Sequence, residues 1–146
     1  MTINISGTGL VVVLQTSVTF PVALTISQFA DDSDPLDIGA LTVADTAMGL
    51  NGDLLVWAKA NPIQMTLNVI ADTIDDENLQ ILGDANRVGQ GKVVAGDIIS
   101  ATLAYPDGSL VQLTNGVIKT YMPGQSIAGS MRMKTKSYVF EFQNKV

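Results

Sequence analysis

Two clusters of acidic side chains are the candidates for metal binding or acid–base catalysis in this chain. The first cluster places four aspartates within seven positions: Asp31, Asp32, Asp34 and Asp37. Carboxylates at alternate positions are calcium ligands, but Leu36 stands where a calcium loop needs a third oxygen ligand. The spacing therefore does not predict a calcium site, and carboxylates this close would repel one another unless water or cations meet them.

The second acidic cluster follows Thr73 and consists of Asp75, Asp76 and Glu77. Three consecutive helical residues point in different directions, so their carboxylates do not converge on one metal ion. Carboxylates in a first turn are instead favoured by the positive end of the helix, and Thr73 can accept a hydrogen bond from the amide of Asp76. We therefore predict a helix start here rather than a metal site.

Catalytic and cofactor chemistry has few other residues to draw on. The chain contains no cysteine and no histidine, which excludes thiolate nucleophiles, histidine-dependent triads and histidine-ligated zinc. The glycines at residues 7–9 start a dinucleotide fingerprint, but Val12 stands where the third glycine belongs. Residues 89–92 resemble the end of a phosphate loop, but Val93 replaces the required hydroxyl residue. We expect no cofactor, no metal and no enzymatic activity.

The acidic loop must be positioned by the uncharged stretch before it. From residue 18 to residue 27, larger apolar residues alternate with small or polar ones, which is the period of a strand with one buried face. Pro21 cannot donate a ladder hydrogen bond and suits an edge or a bulge, while Pro35 ends the extended run. We predict that residues 18–28 form part of an intersubunit sheet, with Leu24 and Ile26 as interface candidates.

Strand patterns recur along the rest of the chain and indicate a mainly β fold. They cover residues 3–5, 10–14, 41–46, 54–59, 63–70, 98–105, 110–114, 117–122 and 137–143, separated by turn signals such as Asn51-Gly52, Pro106-Asp107-Gly108 and Asn115-Gly116. The one helical pattern spans residues 73–87 and carries Leu79 and Leu82 on its apolar side. We predict one domain over residues 1–146, with two packed antiparallel sheets, sandwich- or barrel-like, and one flanking α-helix.

The composition is apolar for a soluble monomer. Hydrophobic residues make up 47% of the chain, charged residues only 15%, and the mean hydropathy is +0.30. Either some apolar surface is buried against other subunits, or a large core lies under a surface of uncharged polar residues, and composition leaves both open. The first thirty residues lack charge, but polar residues interrupt every window of the length that a membrane span needs, so we expect no membrane contact and no signal peptide.

The charges are unevenly distributed. Residues 1–84 hold eleven acidic residues and one lysine, whereas residues 85–146 hold three acidic and seven basic residues. Arg132, Lys134 and Lys136 have the spacing of a basic stripe on a strand. One hypothesis is that the acidic loop of one subunit contacts this stripe on another, because opposite charges set register and orientation at interfaces. The alternative is that the aspartates merely keep the loop soluble.

Several of these segments together resemble a known family. They are Phe-Ala-Asp-Asp-Ser-Asp-Pro-Leu at residues 29–36, Asn-Gly-Asp at 51–53, Ala-Asn-Arg at 85–87, Tyr-Pro-Asp-Gly at 105–108 and the closing strand with Tyr138, Phe140 and Phe142. In this order they resemble the tail tube proteins of contractile-tailed bacteriophages and prophages. The resemblance implies hexameric rings that stack into a tube inside a sheath, through which genome DNA is ejected without specific binding. In such a tube the aspartates of residues 31–37 would alternatively line the lumen as a surface that repels DNA. It also implies sheath and baseplate or tail-completion partners, and a virion tail component assembled in the host cytoplasm.

Two alternatives stay open beside the tube. A tube-like baseplate or initiator component would use the same fold. A small β-sandwich binding module for carbohydrate or calcium would use Trp57 and the acidic loop, although we expect Trp57, between Val56 and Ala58 in a strand, to lie in the core.

Overall fold

The computed structural model describes residues 2, 3 and 5–146. The strand predicted over residues 3–5 includes Asn4, which lies outside the described residues, and Ile3 and Ile5 belong to no strand. The described elements, in chain order, are β1 (Val11–Thr16), β2 (Leu24–Ile26), β3 (Leu36–Ile38), β4 (Ala44–Met48), β5 (Leu54–Ala58), β6 (Ile63–Val69), α1 (Ile74–Asn86), β7 (Ile99–Ala104), β8 (Leu110–Thr120) and β9 (Lys136–Lys145). The predicted mainly β class with one helix is confirmed.

The strands form one large sheet and one separate hairpin. The large sheet has seven strands in the order β2-β1-β7-β8-β9-β6-β3, and the hairpin joins β4 to β5. Every strand pair is antiparallel. Four pairs join neighbours in sequence, namely β1-β2, β4-β5, β7-β8 and β8-β9, and antiparallel pairs of this kind need no crossover connection.

The large sheet curls until its two ends are joined by residues 24–38. Residues 24–26 pair with β1, residue 29 then bridges to Val69, and β3 pairs with β6. The amide of Ala30 donates to the carbonyl of Asn68 at 2.9 Å, and the amide of Ile70 donates to the carbonyl of Gln28 at 3.0 Å. This segment thus pairs first with β1 and then with β6, which gives the sheet the closed form of a barrel.

The core lies inside this curled sheet and follows the alternation of the strands. In β9, Tyr138, Phe140 and Phe142 are buried on one face, as their spacing predicts. The ring centroids of Phe140 and Phe142 lie 6.4 Å apart. The remaining core residues of the sheet are Val12, Leu14, Ile26, Met65, Leu67, Val69, Ile99, Ala101, Leu103 and Leu113.

Helix α1 lies across one end of the curled sheet. Thr73 caps it by accepting from the amide of Asp76 at 3.3 Å, and the helix ends at Asn86, as predicted. Leu79 and Leu82 are fully buried against the core. The helix makes hydrogen bonds with residues at the ends of several strands or just beyond them, so it closes this end like a lid. Within the described residues, no helix is long and apolar enough to cross a membrane.

Two strand predictions were wrong in extent. The strand expected over residues 18–28 is limited to β2, because the amides of Val18 and Thr19 donate to the carboxylate of Asp97 instead of to a neighbouring strand. The turn expected at residues 115–116 is a bulge inside the continuous strand β8, in its pairing with β7. Asn115 takes a φ of 54°, which asparagine tolerates, and a side chain at Gly116 would collide with the ring of Phe142.

Replacing Leu82 by alanine tests whether the helix is held by its buried apolar face. We expect the free energy of unfolding to fall by about 2–5 kcal/mol, because the side chain is fully buried and its removal leaves a cavity. Ile81→Ala is the matched control, since this side chain on the same helix is 52% exposed and its loss should cost far less. Urea unfolding of both variants gives the comparison, and equal losses would contradict this packing.

Candidate functional site

The acidic residues at the start of α1 hold the seam of the curled sheet. One carboxylate oxygen of Asp75 accepts from the amides of Ser27 and Gln28, both at 2.8 Å. These amides lie between the residues that pair with β1 and those that pair with β6. Asp75 is 6% exposed. Its carboxylate therefore satisfies two backbone donors at the point where the chain changes partner strand.

A buried ion pair lies beside this seam. Asp76 and Lys136 are both fully buried, and the Lys136 ammonium nitrogen lies 3.4 Å from an Asp76 carboxylate oxygen. The same oxygen accepts from the Tyr138 hydroxyl at 2.7 Å, and Lys136 donates to Gln80 at 2.9 Å. Burial and the neighbouring Asp76 carboxylate raise the pKa of Tyr138, so its hydroxyl stays protonated and donates. The pair ties the start of β9 to the first turns of α1.

A third aspartate holds the chain after β1. Asp97 is 2% exposed, and its carboxylate accepts from the amides of Val18 and Thr19, the Thr19 hydroxyl and the Asn86 side chain. Burial alone would raise the pKa of Asp97, but these hydrogen bonds together outweigh it and lower the pKa. The carboxylate thereby joins the end of α1 to the residues that follow β1.

The buried carboxylates are thus occupied by donors from the protein itself. Within the part of the chain that the structure describes, no group of three or more acidic side chains is placed to hold a metal ion. Among the same residues, each buried side-chain nitrogen or oxygen has a hydrogen-bond partner. The carboxylates at the start of α1 therefore stabilise the fold. The sequence predicted the cap at Thr73, but it did not predict the contacts of Asp75 and Asp76 with other strands.

The acidic loop contacts basic and polar residues of its own chain. Asp31 forms an ion pair with Arg132, with 2.7 Å between oxygen and nitrogen, and this hydrogen bond lowers the pKa of the Asp31 carboxyl. Asp32 accepts from the hydroxyl of Thr135. The backbone carbonyl of Asp34 accepts from the side chain of Asn68 at 2.6 Å. The loop therefore rests on residues 132–135 and on β6.

The other predicted interface residues lie apart from one another. Asp37 is exposed on β3, and Lys134 is exposed in the loop before β9. Lys136 lies in the buried ion pair, so the three basic residues do not form one exposed stripe. Leu24 is half-buried on β2, whereas Ile26 is fully buried in the core. Contacts of these residues with another subunit stay a prediction.

Sequence patterns predicted the strands and the turn of the β4–β5 hairpin, but they did not predict that its apolar side chains are exposed. Every residue of β5 is exposed, including Leu54 at 65%, Leu55 at 52%, Val56 at 66% and Trp57 at 52%. The expectation that Trp57 lies in the core was wrong, because β5 is exposed along its whole length and Trp57 is not among the core residues. Side chains alternate between the two faces of the hairpin, so each face carries exposed apolar side chains, and Asp45 stands opposite Trp57 on one of them.

A second uncovered surface lies beside the end of β7 that is away from α1. An open cavity of about 550 Å³ lies between the segment before β1, the start of β3 and the turn after β7. Its lining is mainly apolar: Ile5, Leu10, Pro35, Leu36, Tyr105 and Pro106. Asp107 stands at the same turn and accepts from the amide and hydroxyl of Ser109.

The buried ion pair is tested by a double-mutant cycle. Asp76→Ala alone should lower the free energy of unfolding by about 3–5 kcal/mol, because it leaves a buried ammonium group without its counter-charge. Lys136→Met leaves a buried carboxylate and should also destabilise. The double variant should cost clearly less than the two single losses together. Additive losses in urea unfolding would mean that the two groups stabilise the fold independently.

The hydrogen bonds of the Asp97 carboxylate predict how the free energy of unfolding depends on pH. A group whose pKa is lowered by folding contributes stability that is present above its unfolded pKa of about 3.9 and is lost as pH falls through the folded pKa. Asp97→Asn should cost about 1–3 kcal/mol at pH 7. The variant should also lose less stability than the wild type between pH 5 and pH 3, with Asp53→Asn in the exposed hairpin turn as control. Parallel pH profiles of the free energy of unfolding for the wild type and Asp97→Asn would contradict this role of Asp97.

The chain is similar to known proteins in sequence and in fold. A family model described as tail fiber protein gp32 matches residues 3–146. None of the curated protein sequences matches the chain significantly. Among solved structures, the chain is similar to the sheath/tube terminator of an extracellular contractile injection system, PVC, in its extended state. That likeness has a TM-score of 0.46 and 12% identity over 92% of this chain and 91% of the other, values too low to argue function. The family match spans nearly the whole chain, and this protein therefore belongs to the tail fiber protein gp32 family and is a structural protein of phage tails.

Proposed function

We propose that the chain is the subunit of a tail tube, in which hexameric rings stack around a channel for DNA ejection. The uncovered β4–β5 hairpin is the observation that carries this proposal. A tube subunit must bind copies of itself through large surfaces, and a hairpin that is apolar on both faces offers two such surfaces on one arm.

The hairpin is poorly suited to solvent on its own. A two-stranded hairpin without a covering layer is at best marginally stable in water. Residues opposite one another share a face, so Leu54 lies beside Met48 and Val56 beside Thr46 on one face. Leu55 and Trp57 lie on the other face. Apolar patches this extended mark interaction sites, and a neighbouring copy that covers both faces would bury them.

The free edges of the hairpin favour the same kind of partner. β4 and β5 pair only with each other within the described residues, so each strand keeps one edge of unpaired backbone groups. Such edges are templates for pairing with another chain. Pairing of hairpins around a ring would close these edges and would build a continuous inner wall.

The charge of the chain supports a channel for DNA. The net charge is −6, and the acidic residues concentrate in the part of the chain that carries the hairpin. An acidic inner surface repels phosphate groups, which suits a duct through which DNA passes without binding. The proposed partners are further copies, the sheath and baseplate or tail-completion proteins, in a virion tail assembled in the host cytoplasm, and no catalysis is expected.

A fibre component is the second candidate function, favoured by the description of the family. The same hairpin would then join copies into an elongated fibre rather than a ring. Electron microscopy separates the two, because hexameric rings with a central opening support the tube and elongated particles without an opening support the fibre.

Replacing the apolar face of the hairpin tests its role in assembly. In a Leu54→Lys/Val56→Lys variant we expect loss of rings and tubes, with an unchanged midpoint of thermal unfolding for the barrel. Both side chains are about two-thirds exposed, so the substitutions disturb no core packing. Analytical ultracentrifugation and negative-stain microscopy give the readout.

The matched control adds the same charges to the barrel surface. Gln112→Lys/Asn144→Lys changes two exposed residues on β8 and β9, and this variant should assemble like the wild type. A wild-type protein that stays monomeric at all concentrations would overturn the tube proposal. Normal rings from the hairpin variant would show that copies meet through another surface.

A further inference from the structure

We propose that residues 88–93 of one copy dock in the open cavity of the next copy and so join successive rings head to tail. This proposal rests on the proposed function. It names the segment of a neighbouring copy that would fill a cavity separate from the hairpin. The cavity is the one lined by the segment before β1, the start of β3 and the turn after β7.

Residues 88–93 and the turn at the cavity lie at opposite ends of β7. Residues 88–93 follow α1 and precede β7, so they belong to the end that the helix closes. The cavity lies at the turn that follows β7. β7 has six residues, which places its ends about 20 Å apart at ~3.3 Å per residue. The two surfaces are therefore separated by about the length of this strand.

The segment presents apolar side chains on an anchored base. Val88 is 82% exposed and Val93 is 90% exposed. The base is held where the amide of Ala95 donates to the carbonyl of Ala85 at 2.9 Å and the Lys92 ammonium donates to the carbonyl of Arg87 at 2.8 Å. Two exposed valines on an anchored segment are a contact surface that lacks its cover in the isolated chain.

The cavity has the size and lining to receive such side chains. Its volume of about 550 Å³ falls in the range of about 300–1,000 Å³ that is typical of binding sites in proteins. Leu10, Leu36 and Tyr105 provide apolar walls. Burial of the two valines there would remove apolar surface of both copies from water.

The charges around the two surfaces are complementary. Asp107 stands at the cavity, and the hydrogen bonds from Ser109 lower its pKa, so its carboxylate is ionised at neutral pH. Arg87 and Lys92 bring positive charge beside the two valines. Opposite charges at the margin of an apolar contact set orientation more than affinity, which suits the regular stacking of identical rings.

The symmetry of this contact fits a tube. The segment and the cavity are different surfaces, so each copy keeps one unused surface after it has bound a neighbour. Such a heterologous contact that does not close continues as an open stack. The hairpin would join copies within a ring, and this contact would join copies between rings.

Two variants that each disable one surface test the proposal. Val88→Asp/Val93→Asp places carboxylates on the segment and leaves the cavity intact. Gly7→Trp fills the cavity, because Gly7 lines it, has open space around its Cβ position and does not need a positive φ. Each variant alone should form single rings and no tubes, with a stacking constant at least about tenfold weaker, since it buries charge or removes the apolar contact.

Mixing the two variants gives the sharper result. Rings of the cavity variant keep intact segments, and rings of the segment variant keep intact cavities, so a mixture of preformed rings should give pairs of rings and stop there. Sedimentation velocity and negative-stain microscopy count rings per particle. Met131→Asp and Gly129→Trp are matched controls, at an exposed apolar residue and an open glycine in the loop before β9, and both should form tubes.

The outcomes separate this proposal from the proposed function. Tubes of normal length from the segment variant would overturn the docking of residues 88–93, while the tube function would stand. Tubes lost only in the cavity variant would show that a different segment occupies the cavity, which also overturns the proposal. Absence of rings in the wild type would instead overturn the proposed function.

Discussion

The carboxylates at the start of α1 are the interaction on which the rest of this structure depends. Asp75 holds the two amides at which the chain leaves β1 for β6, and Asp76 meets Lys136 and Tyr138 at the start of β9. A curled sheet closes only if its first and last strands are brought together, and these contacts lie at the junction. The helix is thus both the lid of the barrel and the fastening of its seam.

The closed barrel has consequences for where new contacts can form. The helix covers one end of its core, and among the described residues each buried side-chain nitrogen or oxygen has a hydrogen-bond partner within the chain. Apolar side chains that stay exposed include those of the β4–β5 hairpin and of the segment after α1, and an open cavity lies at the turn after β7. A rigid body with separate uncovered surfaces is the form expected of a subunit that repeats itself in a larger assembly.

The acidic loop illustrates how one feature of the sequence can serve the fold first. Four neighbouring aspartates invite an interpretation through partners, but two of them are met by Arg132 and Thr135 of the same chain. The ion pair of Asp31 is exposed to water, where such pairs contribute little to stability. Its effect is on geometry, because it places the loop against residues 132–135.

Local sequence patterns were sufficient to predict much of the secondary structure. Alternation predicted most of the strands and the buried face with Tyr138, Phe140 and Phe142, and the order of Thr73 and the acidic residues predicted the helix start. The turn at Pro106-Asp107-Gly108 was predicted as well, and it forms with Gly108 at a φ of 91°. These features depend on neighbours along the chain, so a local pattern suffices to predict them.

Which faces of the predicted strands are buried depends on the tertiary structure. A period of two shows which side chains share a face, but not whether another element packs on that face. Trp57 and Phe140 both stand in apolar strands, yet one lies on an uncovered hairpin and the other in the core. Lys136 likewise has the spacing of a surface stripe and is buried, because Asp76, sixty positions earlier, is brought within 3.4 Å by the closure of the sheet. Burial depends on contacts between residues far apart in the chain, and no local pattern contains them.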